Sequence, residues 1–257
     1  MFKKHLAVVL ISLLGSEAAF AKDILITNDT GTQGKGAVLV EVNGEYGSDQ
    51  ATSEGVSIKQ TGIGVEAIFS YGVMQEADII FAFPYLQDKV EENNIVIQNE
   101  KGISDISVEL KWRFYETEGL SFALKPGLSL PTGNEKRGLG TGKAGYNLFL
   151  VSTKEVKSMI YNFNLAYFRN ENEARERKDL WYASFAMEYI WRENMRFIVN
   201  TGIERSPEKM SNSHPAFVLG GINHSLTDKF DINAGVKAGL NSAETDITYL
   251  AGIAAKF

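Results

Sequence analysis

Ten consecutive residues, Ile106 to Tyr115, alternate without a break. Ile106, Val108, Leu110, Trp112 and Phe114 fall on one side, and Ser107, Glu109, Lys111, Arg113 and Tyr115 on the other. Strict period two over this length is the mark of a β-strand, because successive side chains of an extended chain point to opposite faces. Strands of soluble proteins average about five or six residues, whereas a tilted strand that crosses a bilayer needs about nine to eleven. The pattern recurs. Trp181, Ala183, Phe185, Met187, Tyr189 and Trp191 alternate with Tyr182, Ser184, Ala186, Glu188 and Ile190, and Met195 to Glu204 and Phe230 to Leu240 repeat the arrangement. No helical periodicity competes with it. The expected strands are 36–46, 57–71, 77–86, 104–115, 119–130, 143–153, 157–169, 179–191, 194–204, 214–225, 228–240 and 245–257.

The connections between these strands alternate in length. Gly47–Val56, Gln87–Ile103, Pro131–Gly142, Asn170–Lys178, Arg205–Ser213 and Asn241–Glu244 follow the odd-numbered strands. Gly72–Glu76, Glu116–Glu118, Lys154–Val156, Arg192–Glu193 and Leu226–Thr227 follow the even ones. Long loops at one end and short turns at the other characterise outer-membrane barrels, with the turns on the periplasmic side. The fold expected is therefore all-β: a transmembrane up-and-down antiparallel β-barrel of about twelve strands, both termini in the periplasm.

The two ends of the chain agree with export. Lys3 and Lys4, the apolar run Leu6–Leu14 and the small-x-small triplet Ala19-Phe20-Ala21 have the order of a cleavable secretory signal. That run is too short to span a bilayer as a helix. Residues 1–21 are thus assigned to the signal, 22–35 to an N-terminal periplasmic segment or plug, and 36–257 to the barrel. At the other end Ile247, Tyr249, Ala251, Ile253 and Ala255 alternate with small or polar residues, Leu250 excepted, up to Phe257. A terminal Phe closing an alternating strand resembles the signal that barrel-assembly machinery reads.

Composition excludes several classes. Removal of Lys3, Lys4 and Glu17 with the signal takes the formal net charge from −6 to −7, which gives nucleic acid no basic surface. The absence of cysteine rules out disulfides and a lipoprotein acyl site. A mean hydropathy of −0.14 fits a barrel in which only alternate strand residues meet lipid.

Alternation alone does not separate an inside-out barrel from a soluble lipocalin-like one with an apolar core. Strand length, a water-compatible second face and aromatic residues at band edges favour the membrane. Trp181 and Trp191 share a face ten residues apart. At about 3.3 Å per residue and a tilt near 40° they stand roughly 25 Å apart along the normal, the height of the apolar band. Tyr71, Trp112 and Phe257 fall at expected periplasmic edges, and Tyr85 at an outer one.

The stretch Pro126-Gly-Leu-Ser-Leu-Pro-Thr-Gly-Asn-Glu-Lys-Arg-Gly-Leu-Gly-Thr-Gly-Lys143 resembles the Leu-Pro-Thr-Gly strand end and Gly-rich loop of the outer-membrane transporters named for the meta-pathway of phenol degradation. Asp29-Thr-Gly-Thr-Gln-Gly-Lys-Gly36, with Glu41 and Tyr46 after it, resembles the amino-terminal part of that family. The resemblance implies a monomeric barrel with a role in solute passage.

Other motifs carry less. Gly138-Leu-Gly-Thr-Gly-Lys-Ala144 lacks the first glycine and the closing Ser or Thr of a phosphate loop. His224 and Ser225 are adjacent and so point to opposite faces, which does not suit a Ser–His nucleophile, and His214 is followed by Pro215 and Ala216. Two mature histidines without cysteine do not suggest a transition-metal site. No catalytic residue, cofactor or metal is assigned. The run Asn170–Lys178 reads as a solvated outer loop in reach of lipopolysaccharide.

Function is expected in the lumen. Inward positions include Glu41, Glu66, Glu109, Glu188 and Glu204 against Lys111, Arg113, Lys125, Arg196 and Lys237. Such a balance permits ion pairs across the interior and local charged constrictions that sort solutes. The leading expectation is a narrow channel or uptake route for small, apolar or aromatic solutes. A closed structural or surface-interaction barrel is the alternative, and an outer-membrane lipid enzyme the third. The partners expected are outer-membrane lipid and lipopolysaccharide, the barrel-assembly machinery and an unidentified solute.

Overall fold

The computed structural model describes residues 26–53 and 55–257, so the signal sequence and Lys22–Leu25 lie outside the described residues. Thirteen strands make one antiparallel sheet: β1 Val38–Ser53, β2 Val56–Met74, β3 Ala77–Glu92, β4 Ile95–Ile103, β5 Ile106–Thr117, β6 Leu120–Leu130, β7 Gly145–Val156, β8 Met159–Arg169, β9 Asp179–Arg192, β10 Met195–Glu204, β11 Ala216–Ser225, β12 Phe230–Gly239 and β13 Ile247–Lys256. Pairing of β1 with both β2 and β13, and of β2 with β3, closes twelve of them into a barrel. Closure gives every rung a partner, which a sheet surrounded by hydrocarbon requires. The seam ends on Phe257, whose N–H donates to the Val38 carbonyl while the Val38 N–H donates to the Phe257 carbonyl, at 2.9 and 3.0 Å.

β4 is the thirteenth strand and departs from the sequence reading, which gave Gln87–Ile103 to a loop. β3 continues to Glu92 and turns back through Asn93 and Asn94, with φ of 48° and 66°. Two consecutive positive φ values make the tight turn whose twist suits a hairpin. β4 pairs with the outer half of β3, and β5 takes over the inner half from Ala82. β1 and β2 likewise pair as far as Ser53 and Val56, whereas β13 leaves β1 at Ser48. The expected loop Gly47–Val56 is therefore mostly an extension of this hairpin.

At the opposite end the connections are tight. Gln75–Glu76, Glu118–Gly119, Lys157–Ser158 and Glu193–Asn194 each join neighbours directly. Outward residues such as Phe163, Leu165, Tyr167, Phe185, Phe197 and Val199 are more than a third exposed, and Asn162, Asn164, Ser184, Ile198 and Asn200 between them are buried. In water this outer surface would be an enormous unpaired apolar patch. Facing lipid, it supplies the driving force for insertion.

The loop Pro131–Ala144 is folded against the wall by one carboxylate. Asp105, between β4 and β5, accepts from the Gly133 and Thr141 N–H groups at 2.9 and 2.7 Å and from the Thr141 hydroxyl at 2.8 Å. A Cβ on Gly140 would sit 2.4 Å from the Asp105 Oδ1, so only glycine lets the loop close on it. Within Gly138–Ala144, the stretch that fails the phosphate-loop pattern, the Thr141 N–H and hydroxyl are thus taken up by the protein's own carboxylate.

Candidate functional site: the lumen and its inner strap

Residues 26–33 lie inside the barrel and walk along the wall, meeting one strand after another. The Gln33 N–H donates to both Asp78 carboxylate oxygens of β3, at 3.1 and 3.0 Å. Lys111 of β5 reaches the Gly31 carbonyl at 3.1 Å and Asp29 Oδ1 at 3.4 Å. Thr30 shares a hydroxyl bond with Ser121 of β6, and its N–H donates to Thr153 Oγ1 of β7 at 3.0 Å. Asn28 and Asn164 of β8 bond reciprocally, the Asn28 N–H donating at 2.7 Å and the Asn164 side-chain amide returning a bond to the Asn28 carbonyl at 2.8 Å. Thr27 donates to Ser184 Oγ of β9 at 2.7 Å and accepts from Asn200 of β10 at 2.6 Å. The Ile26 N–H ends the series on Asn200 Oδ1 at 3.0 Å. An extended strap needs a partner for each backbone group once it leaves water. Asn200, Asn164 and Thr153 supply them at Ile26, Asn28 and Thr30, and Lys111 and Asp78 at Gly31 and Gln33.

The ten residues expected to line the lumen are Glu41 on β1, Glu66 on β2, Glu109, Lys111 and Arg113 on β5, Lys125 on β6, Glu188 on β9, Arg196 and Glu204 on β10, and Lys237 on β12; Glu41, Glu66, Glu109, Lys111, Lys125 and Glu188 are buried and the other four half-buried. They do not form one ring of five pairs. Lys125 meets Glu109 at 2.9 Å and Arg196 meets Glu188 at 3.1 Å. Lys111 turns instead to Asp29 of the strap, Arg113 to Glu116 at 3.3 Å, and Lys237 to Glu244 at 2.9 Å. Lys125 is the most enclosed, with 1% of its side chain exposed. Its ammonium also donates to Asn28 Oδ1 at 2.9 Å and lies 4.6 Å from the Phe149 ring centre. Charge, amide and aromatic face together replace the water such a group gives up.

A second chain of bonds supports the strap from the turn end. Thr153 donates to Asn162, Asn162 donates to Glu188 at 2.9 Å, and Arg196 closes on the other Glu188 oxygen. Beside this polar wall is a packed apolar cluster. Phe149, Val151, Tyr182, Ile198, Phe217 and Leu219 point inward from β7, β9, β10 and β11, and the Ile26 side chain at the strap's end packs among them. Phe149 meets Phe168 edge-on at 5.3 Å and Tyr182 at 6.5 Å between ring centres.

The apolar cluster and the strap's contacts were not among the residues singled out from sequence. A signal for the cluster exists: Leu148-Phe149-Leu150-Val151 and Phe217-Val218-Leu219 are apolar on both strand faces, so some of these side chains must point inward. The strap carries no periodicity, and its bonds join residues more than a hundred positions apart. His224, near the end of β11, has its Nδ1 2.9 Å from the carbonyl oxygen of Asn194 in the β9–β10 turn. Among the described residues no three His, Cys, Asp or Glu side chains gather as a metal site.

The strap from Thr27 onward and the whole barrel fall within one family model. Residues 27–257 match the family described as "Putative MetA-pathway of phenol degradation". The chain belongs to this family. No curated protein matches it in sequence. Among solved structures it is similar to an outer membrane channel from Pseudomonas putida F1, with a TM-score of 0.68 and 14% identity over 89% of this chain and 98% of that one. It is also similar to the KdgM porin, with a TM-score of 0.57 and 7% identity over 85% and 99% of the two chains. The translocator domain of the autotransporter NalP from Neisseria meningitidis follows at 0.55 and 12%, over 89% and 91%. At such identities the likeness is one of fold: a closed twelve-stranded barrel of the outer-membrane kind.

Proposed function

We propose that this family member is a narrow uptake route for small apolar or aromatic solutes across the outer membrane. The observation that carries the proposal is the buried apolar cluster around Phe149, Tyr182 and Phe217 inside a wall that is otherwise polar and ion-paired. An apolar molecule gains by leaving water for such surroundings, and aromatic rings add geometry-dependent attraction. Charged side chains around it discourage bulk flow of ions. The family's description names phenol degradation and the Pseudomonas putida relative is a channel, which agrees with this solute class.

In the proposed orientation the tight turns and both termini face the periplasm, and the hairpin β3–β4 and the loop at Pro131–Ala144 face outward, toward lipopolysaccharide. The strand ending in Phe257 is proposed to be what the assembly machinery recognises. The ten charged residues are proposed to line the path, with Lys125 and Glu109 at its narrowest part. No enzymatic step is proposed, and the protein is taken to act as a monomer.

The test is flux of phenol and toluene into liposomes holding the full mature chain. Ala166→Trp adds an indole to this buried cluster and is expected to cut flux several-fold. Flux no greater than in protein-free liposomes would refute the proposal. It would favour the second reading, a closed structural barrel, which the strap and the buried Lys125–Glu109 pair support.

A further inference from the structure

The strap is attached in a way that lets it leave. From Ile26 to Gly31 its bonds to the wall run to side chains of β5 to β10. The backbone ladders between those strands are made without it. Its withdrawal therefore breaks no rung and leaves the ring closed. Asn164, Asn200, Ser184 and Thr153 would exchange strap partners for water, a trade of small net cost per bond.

The two ends of the strap differ in kind. At the turn end Gly34 and Gly36 both have φ of +83°, a left-handed conformation that favours glycine and forms a joint before β1. At the far end the Ile26 side chain, 7% exposed, packs into the apolar cluster with Phe149, Tyr182 and Phe217. A ligand shifts a conformational equilibrium only if it binds one state better than the other. A solute that needs the volume Ile26 occupies meets that condition.

We infer that an apolar solute takes the place of Ile26 in this apolar cluster, so that solute binding and withdrawal of residues 26–33 are one event. The inference rests on the transport reading for its solute class and stands apart from it in the test.

Thr27 is fully buried, and the chain contains no cysteine, so Thr27→Cys is a clean reporter. The full mature chain in liposomes is treated with a small thiol reagent, with toluene as the probe. Toluene is expected to speed modification about tenfold. Ile26→Ala is expected to raise the rate without toluene and to flatten the response. Thr30→Cys, also buried, gives a second reporter should Thr27→Cys disturb docking. In the double variant Thr27→Cys with Ser184→Cys, whose hydroxyls now lie 2.7 Å apart, oxidation is expected to lower toluene flux several-fold and reduction to restore it. Flux through the wild type with the reporter still protected, or undiminished by the disulfide, overturns the inference and leaves transport standing. A reporter exposed by toluene without flux overturns the transport reading and leaves the competition standing.

Discussion

Lys125 is the sharpest probe of whether the lumen is dry around the strap. Its ammonium is held by Glu109, Asn28 and the Phe149 ring, and both members of the ion pair are almost wholly enclosed, at 1% and 3% side-chain exposure. Removing one member strands the other charge. For a buried pair that costs about 3–5 kcal/mol, far more than the pair's net worth. Lys125→Met keeps the stem's volume and deletes the charge, so a loss in that range is expected, and Glu109→Gln should lose a comparable amount. The double variant strands nothing. What remains is the lost bond to Asn28, about 1 kcal/mol, and imperfect packing. The two substitutions should therefore couple by more than about 2 kcal/mol. Urea unfolding in phospholipid vesicles, read from the emission of Trp112, Trp181 and Trp191, supplies the three differences. If Lys125→Met costs under about 1 kcal/mol, or the two losses simply add, the pair is hydrated and the reasoning fails.

Asp105→Ala removes three acceptor contacts from the loop Pro131–Ala144. Trypsin cleavage at Lys136 and Arg137 in intact liposomes should speed up about tenfold to a hundredfold. Asp49, on the part of β1 beyond its last pairing with β13, has its carboxyl pushed up to about 6 by burial and by the neighbouring Asp246. A raised carboxyl favours the folded state below its unfolded pKa of 3.8 and loses that contribution as pH rises through about 6. Asp49→Asn should accordingly melt higher than wild type at about pH 7.5 and match it near about pH 4. Deleting Phe257 removes both backbone bonds that tie it to Val38 and should slow assembly of folded protein in the outer membrane, measured as the heat-modifiable fraction on gels.

How much of this was written in the sequence follows from which interactions are local. The inward and outward sets of β5, β9, β10 and β12 could be read directly, because period two is a property of each strand by itself. The barrel's closure followed from the alternation of long and short connections. β4 was missed because its turn dipeptide, Asn93-Asn94, lies inside a polar stretch that resembled a loop, although Ile95-Val-Ile97 after it is a strand-forming run. The lumen residues could be placed on a face, but their partners could not. Lys111 bonds to Asp29, which the sequence reading assigned to no strand, and Lys237 bonds to Glu244 in a loop. The sequence reading left the strap open between plug and periplasmic segment, because nothing local to Ile26–Gln33 reports Asn164 or Asn200 far along the chain.

The central claim is that successive residues of one strand meet two different surroundings. Single cysteines at Val199, Asn200 and Thr201, carrying one small fluorophore each in vesicles of brominated lipid, test it within a span of three residues. Strong quenching at 199 and 201 with little at 200 is the outcome this structure requires. Quenching at 200 alone, or equal quenching at all three, would contradict the barrel and remove the lumen on which every functional statement depends.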